Sequence, residues 1–261
     1  MFPQLVRLGP FTLYSYGLLV ALAFLTALFT ASRLAQRSRL DPDRVATLGI
    51  YVAVAAIVGA KLFLLLSDFS YYVQNPGRIF SLATLQAGGV FFGGLVLALA
   101  TAAWYMRRAG LPPLRTSDTF APAIALGHSI GRVGCFLAGC CWGKPAALPW
   151  AVTFTRPLAH ELVGVPLGVP LHPTQLYESA AELVFFFILL ARFRRPHRDG
   201  AVLGLYLILY SAFRFFIEFL RDPADLSYPF GGPLSFTQWM ALLLVACGIG
   251  LLARPRAHRT A

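Results

Sequence analysis

The segment from Gly127 to Gly143, read as Gly-His128-Ser-Ile-Gly131-Arg132-Val-Gly134-Cys135-Phe-Leu-Ala-Gly139-Cys140-Cys141-Trp-Gly, sets imidazole, guanidinium and three thiols into an otherwise apolar run. At helical spacing His128, Arg132 and Cys135 fall at i, i+4 and i+7 on one face, beside a seam of Gly127, Gly131 and Gly134. Small residues at that spacing let membrane helices approach closely. An arginine at membrane depth is tolerated only where it faces protein, water or an anionic partner. The competing reading is a packing seam with one snorkelling arginine.

Further polar groups lie where lipid is expected. Tyr210, Arg214, Glu218 and Arg221 are spaced i, i+4, i+8 and i+11 along another apolar stretch. Glu218 can pair with Arg214 or Arg221, which is either an internal salt bridge locking helices or part of an anion site. Two arginines to one carboxylate leave positive charge for a phosphate diester beside Arg132. The run His172-Pro173-Thr174-Gln175-Leu176-Tyr177-Glu178 opens a further helix whose positive dipole end points to the same region. Lys61 is a snorkelling side chain or a third cation, and Tyr14 and Tyr16 read as an aromatic belt. Cys135, Cys140 and Cys141 could pair, bind metal or pack; without a second ligand pair the spacing does not specify zinc, and they read as structural. Cys247 reads as a small core residue.

The elements that position these groups follow from composition. The 261 residues are 57% hydrophobic and 13% charged, with mean hydropathy +0.67. This is a polytopic membrane protein of the all-α class. Seven apolar windows, 13–32, 46–67, 88–106, 118–137, 174–191, 201–220 and 236–253, are each long enough to cross a bilayer as a helix. The net charge of +11 is distributed as clusters between windows, which excludes a nucleic-acid-binding face. Fourteen of the 22 basic residues lie in the clusters Arg33 to Arg44, Arg107 to Arg115, Arg192 to Arg198 and Arg254 to Arg259. Those clusters alternate with connections poorer in Arg and Lys, so the N-terminus is expected outside and the C-terminus in the cytoplasm. The first window reads as retained and not as a cleaved signal. Two non-cytoplasmic connections are long, 68–87 and 138–172. The second is expected to form a small head with a short strand over 150–154 and, from its Pro and Gly content, no further helix. The whole of 1–261 is read as one integral membrane domain.

Taken together, Gly131-Arg132-x-Gly-Cys-Phe-x-x-Gly-x-x-x-Gly143, His172-Pro-x-Gln-Leu-Tyr-Glu178 and Tyr210-x-x-x-Arg214-x-x-x-Glu218-x-x-Arg221 resemble the bacterial prolipoprotein diacylglyceryl transferase family. The similarity extends to Tyr16-Gly17, Gly59-Ala60-Lys61 and the glycine turn from Gly88 to Gly94. It implies an inner-membrane, multi-pass enzyme that moves the diacylglyceryl group of phosphatidylglycerol onto the lipobox cysteine thiol of a prolipoprotein. Glycerol phosphate is released, and neither metal nor other cofactor is used. By position, Arg132 and Arg214 match the family's essential arginines, Tyr16 and Tyr210 its tyrosines, Glu218 the acidic partner and Gly143 the closing glycine. Lys61, His172, Gln175 and Arg221 join Arg132, Arg214 and Tyr16 as the expected phosphatidylglycerol-binding set. Cys135 stands where the signature asparagine would be, Cys140 where an acid is frequent, and Phe92 where many members have a histidine proposed as base.

The chemistry can be built from these groups. Sulfur attack on the glyceryl carbon expels a phosphate monoester, so guanidinium groups aimed at its oxygens stabilise the transition state more than the diester. His128 and His172 are candidate proton acceptors. A transporter would show paired broken spans in related halves, and no such repeat is visible. A lipid-binding protein without activity would keep the arginines and lose only the base, as Phe92 allows. A membrane thiol oxidoreductase would use the three cysteines but leave Tyr210, Arg214 and Glu218 without a purpose.

Overall fold

The computed structural model describes residues 2–8, 11–79, 81, 84, 89–222 and 227–254. Gly88 of the glycine turn, and Arg256 and Arg259 of the last basic cluster, lie outside them. The protein is mostly helical. Each apolar window falls on one long helix: α1 (Ser15–Arg37), α2 (Pro42–Ser67), α4 (Phe91–Arg108), α5 (Pro113–Ala138), α7 (Thr174–Arg194), α8 (Ala201–Ile217) and α9 (Phe236–Ala253). Five of them, α1, α2, α5, α8 with the turn that follows it, and α9, are long and apolar enough to cross a membrane. The other two carry more charge: α4 ends in Arg107-Arg108, and α7 has Glu178 and Glu182 in its first half.

The chain falls into two compact units, 32–116 and, separately, 1–31 with 117–261. In the 32–116 unit, Asp41 caps α2 by accepting from the backbone N–H groups of Asp43 (2.9 Å) and Arg44 (3.3 Å). Helices α2 and α4 are pressed together at glycine. A Cβ on Gly59 would stand 2.5 Å from the Gly93 carbonyl oxygen, and one on Gly93 would stand 2.4 Å from Phe63. The 68–87 connection contains the short helix α3 (Phe69–Gln74) and a 3₁₀ turn at Pro76–Arg78.

The larger unit opens with a hairpin that periodicity of the helical windows gave no reason to expect, β1 (Gln4–Leu8) against β2 (Phe11–Tyr14). Helix α5 lies on α1 through the anticipated seam, with Gly127 against Ala23 and Ala27 and Gly134 against Leu19 and Tyr16; Gly131 faces open space. Gly204 and Gly248 play the same part between α8 and α9. Buried Asp118, on α5, accepts from the N–H groups of Gly200 (2.7 Å) and Leu203 (2.8 Å), so one helix caps the start of another. The connection after α5 has a core of Phe154, Ala159, Val165 and Leu171. Its strand is shorter than expected, β3 (Val152–Thr153), pairs with β4 (Pro170–Leu171), and is followed by a helix that was not expected, α6 (Pro157–Val163). Pro157 sits at the first position of α6 and Gly164, at φ +75°, ends it, so the residues read as breakers are its two boundaries.

Candidate active site

Helix α5 brings His128, Arg132 and Cys135 onto one face, and α7 meets that face with two carboxylates one turn apart. Arg132 Nη2 lies 2.6 Å from Glu178 Oε2, and its Nε donates to His128 Nε2 at 3.1 Å. His128 Nδ1 lies 3.1 Å from Glu182 Oε1. The four groups form one chain of polar contacts between two helices, held where Glu178 and Glu182 are buried. The pairing has a physical cause: a buried carboxylate persists only with a hydrogen-bonded cation or donor beside it. Glu178 Oε1 and Glu182 Oε2 remain without hydrogen-bond partners among the described residues, although Arg221 Nη1 stands 3.9 Å from Glu178 Oε1.

The second arginine is held from one edge. Arg214 Nη1 contacts Glu218 Oε2 at 2.5 Å, and Glu218 Oε1 accepts from Ser235 Oγ at 2.7 Å. Ser235 is also the N-cap of α9, in a capping box with Gln238. Helix α8 ends at Ile217, and Glu218–Leu220 is a 3₁₀ turn. Arg221 therefore leaves the helical stripe expected from its spacing: it is extended, bridges to Gly143, and its Nη1 stands 3.9 Å from Glu178 Oε1. The ratio of two arginines to one carboxylate is corrected accordingly. Glu178, Glu182 and Glu218 stand among Arg132, Arg214, Arg221 and His128. Guanidinium donors remain nonetheless: Arg132 Nη1 and Arg214 Nε and Nη2 have no protein partner among the described residues. The Tyr210 ring lies 5.6 Å from the His128 ring, tilted by 56° to it, one turn before Arg214 on α8.

A turn closes the site. Gly143 N–H donates to the His172 carbonyl (3.0 Å), and Lys144 N–H to the Leu220 carbonyl (2.8 Å). A Cβ on Gly143 would lie 2.5 Å from Leu220 O and 2.7 Å from His172 Cβ, which is why no larger residue fits. Gln175 Nε2 donates to the Cys140 carbonyl (2.6 Å) and Thr174 Oγ1 to the Cys141 carbonyl (2.7 Å), so the start of α7 pins the cysteine turn. The three sulfurs of Cys135, Cys140 and Cys141 converge, within 4.8 Å of one another, all as thiols. Hydrogen bonds from Cys135 and Cys140, with Arg132 and Arg221 adding to them, hold the Cys141 thiol well below the usual range; its bonds to Cys135 and Cys141 push Cys140 up.

Of the expected residues, Tyr16, Arg132, Tyr210, Arg214, Glu218, His172, Gln175 and Arg221 all lie in this larger unit. Tyr16 is on the first turn of α1, against Gly134. His172 directs Nδ1 toward the Tyr177 hydroxyl at 3.5 Å. Lys61 belongs to the 32–116 unit, where its ammonium donates to the Thr84 carbonyl at 2.9 Å. Phe92 belongs there too, half exposed and edge-on to Phe91. Sequence reasoning missed Glu178 and Glu182 as arginine and histidine partners. Their i, i+4 spacing inside an apolar helix, matching that of His128 and Arg132, was the available signal. Ser235 was signalled only by Ser-x-x-Gln ahead of an apolar run.

A family model described as prolipoprotein diacylglyceryl transferase matches residues 3–254. Proteins named phosphatidylglycerol--prolipoprotein diacylglyceryl transferase align along nearly the whole chain. One from Clostridium tetani is 33% identical over 252 residues, covering 95% of this chain and 96% of that protein. One from Nitratidesulfovibrio vulgaris is 37% identical over 256 residues, covering 96% and 93%. One from Methylococcus capsulatus is 36% identical over 265 residues, covering 99% and 97%.

Proposed function

This chain belongs to the prolipoprotein diacylglyceryl transferase family, and from that membership we propose how its buried charges perform the transfer. The protein is a transferase that moves the diacylglyceryl group of phosphatidylglycerol to a prolipoprotein. In our reading the acceptor is the thiol of the lipobox cysteine and the product released is glycerol phosphate. All seven long helices cross the inner membrane of a bacterial cell as one integral domain. The N-terminus and the head at 138–172 are outside, and the basic clusters are in the cytoplasm.

One observation supports the site assignment above the rest: Arg132 and Arg214 come from different helices of one unit, each fixed on one edge by a buried glutamate. Each keeps N–H donors for a ligand. A planar fork with one edge committed and the other free suits a phosphate oxygen pair. As sulfur attacks the glyceryl carbon, the C–O bond breaks and charge collects on the phosphate, where preorganised guanidinium groups stabilise it. Glu218, tied to Ser235, sets the angle of Arg214; Glu178 and His128 set that of Arg132. Tyr210 supplies a hydroxyl, while Tyr16, His172, Gln175 and Arg221 complete the lipid-binding set of this unit, Gln175 through the Cys140 carbonyl.

The test uses purified protein in vesicles with and without phosphatidylglycerol, given a peptide carrying a lipobox cysteine. Glycerol phosphate should be released in step with peptide lipidation and only when phosphatidylglycerol is present. Lipidation at the same rate from vesicles of phosphatidylcholine would contradict the assignment.

A further inference from the structure

We propose that Cys135 and Cys141 are the two halves of a reversible disulfide, and that closing it removes a negative charge from beside Arg132 and Arg221 and so strengthens their hold on a lipid phosphate. The second half of that statement rests on the transferase reading above; the disulfide site itself does not.

Sequence spacing alone left these cysteines open, but the fold brings all three sulfurs within 4.8 Å of one another, as thiols and partly exposed. A disulfide has an S–S separation of about 2.0 Å, so closure moves each of two sulfurs by about 1.4 Å at most, within the reach of side-chain rotation. The turn that gathers them is held from several sides. Gly139, at φ +86°, and Cys140 both donate to the Cys135 carbonyl, at 2.9 and 3.1 Å, and Gln175 and Thr174 grip the carbonyls of Cys140 and Cys141. Cys141 is held at φ +60°, which a residue with a side chain adopts only where its surroundings impose it. The same turn selects the pair. A bond between the adjacent Cys140 and Cys141 would close a small ring around a peptide unit that resists leaving its trans plane. Cys140 Sγ is also committed to the Cys135 carbonyl at 3.7 Å, and its hydrogen bonds to Cys135 and Cys141 push its thiol up, so it stays protonated. Cys135 and Cys141 remain.

Cys141 starts the exchange. Hydrogen bonds from Cys135 and Cys140, with Arg132 and Arg221 adding to them, hold its thiol well below the usual range, so it stands as the thiolate, the form that attacks. In the topology proposed above the turn lies outside the cytoplasm, where disulfides form and persist. The oxidant is a low-molecular-weight disulfide. The Cys141 thiolate attacks one of its sulfurs and releases the other as a thiolate. Cys135 then attacks the Cys141 sulfur, gives its proton to the thiolate already released, and expels the second half as a thiolate. Two thiols of the chain are oxidised and one small disulfide is reduced, so atoms and electrons balance. The consequence is electrostatic. Cys141 acts on both Arg132 and Arg221, and Cys135 acts on Arg132. A thiolate beside these guanidinium groups opposes their attraction for a phosphate, and a disulfide carries no charge. Closure therefore makes the site more positive, and reduction reverses it.

Full-length protein in detergent is equilibrated with glutathione and glutathione disulfide, quenched with an alkylating agent and mapped by mass spectrometry. Oxidised wild type should carry one bond between Cys135 and Cys141, with the alkyl group on Cys140. A bond that includes Cys140, a stable glutathione adduct on Cys141, or three alkylated thiols under excess glutathione disulfide would overturn the site. Binding of a fluorescent phosphatidylglycerol to the same samples should tighten on oxidation by about threefold, the scale of one partly exposed ion pair. Cys141→Ser, which lacks the thiolate, should bind as oxidised wild type does. Cys135→Ser, which keeps the thiolate but cannot close the bond, should bind as reduced wild type does. Neither should respond to glutathione disulfide, and each tests the coupling by itself if the other fails to fold. Equal affinity of the two states of wild type would overturn the coupling of charge to lipid. Full peptide lipidation by protein that forms no such disulfide would overturn the inference and leave the transferase reading standing. The disulfide and the tightened binding without any lipidated product would instead overturn that reading and leave the inference.

Discussion

Arg132 Nε donates to His128 Nε2, one helical turn earlier, at 3.1 Å. A guanidinium cannot accept, so His128 must present a lone pair there and carry its proton on Nδ1, toward Glu182. An imidazolium would set two donors against each other, so the imidazole in this chain of contacts is neutral and its work is to aim Arg132. Replacing His128 by Phe removes the acceptor and should lower kcat roughly tenfold to a hundredfold, the range expected when a charged group loses its alignment. His128→Gln, which can still accept, should keep most of the activity. Steady-state kinetics of the two variants checks this, and equal loss in both would show that the imidazole does more than position.

Arg132→Ala and Arg214→Ala should each lower turnover more than tenfold while folded protein remains in the membrane. Lysine at either position should rescue only in part, because a point charge cannot hold a glutamate on one edge and a phosphate on the other. Single-turnover assays on protein of matched thermal stability measure the effect. Near-normal turnover in both alanine variants would remove the phosphate site from the account.

Ser235 joins two roles, capping α9 and donating to Glu218 at 2.7 Å. Ser235→Ala should cost about 1 kcal/mol of stability from the lost cap. It should also lower kcat, since Glu218 would no longer be held against Arg214. Ser235→Thr should restore both. Thermal unfolding alongside kinetics separates the two effects.

Phe92 is half exposed and packs edge-on to Phe91. Phe92→Tyr should be nearly neutral, and Phe92→Ala should act through lost packing. The pH profile of kcat/KM should rise with deprotonation of the peptide thiol, because only the thiolate attacks and protonation below its pKa removes the nucleophile. That ascending limb should persist in His128→Gln and His172→Gln. Its disappearance in one of them would identify that histidine as the base.

The helices and their order were legible in the sequence because apolar windows of this length have few alternatives, and the i, i+4 placement of His128 and Arg132 carried their contact directly. What was not legible depended on neighbours distant in sequence. The face of α7 that meets Arg132 is set by packing, so Glu178 and Glu182 gained partners that no local pattern names. Arg221 was misplaced because helical spacing was extended past Ile217, where the chain tightens into a 3₁₀ turn and then straightens. The head's α6 was missed because Pro157 and Gly164 were read as breakers when they are its ends. The convergence of three sulfurs required Gly139 and Cys141 at positive φ, a turn that residue types alone do not specify.

The central claim, that this protein transfers diacylglyceryl groups through the Arg132 and Arg214 pair, is tested most directly by intact mass spectrometry of a lipobox peptide. The peptide is incubated with phosphatidylglycerol and either wild-type protein or the Arg132→Ala/Arg214→Ala double variant. Wild type should convert the peptide to the thioether-linked diacylglyceryl form, and the double variant, at equal folded concentration, should leave it unmodified. Unmodified peptide with wild type, or equal conversion by the double variant, would contradict the account.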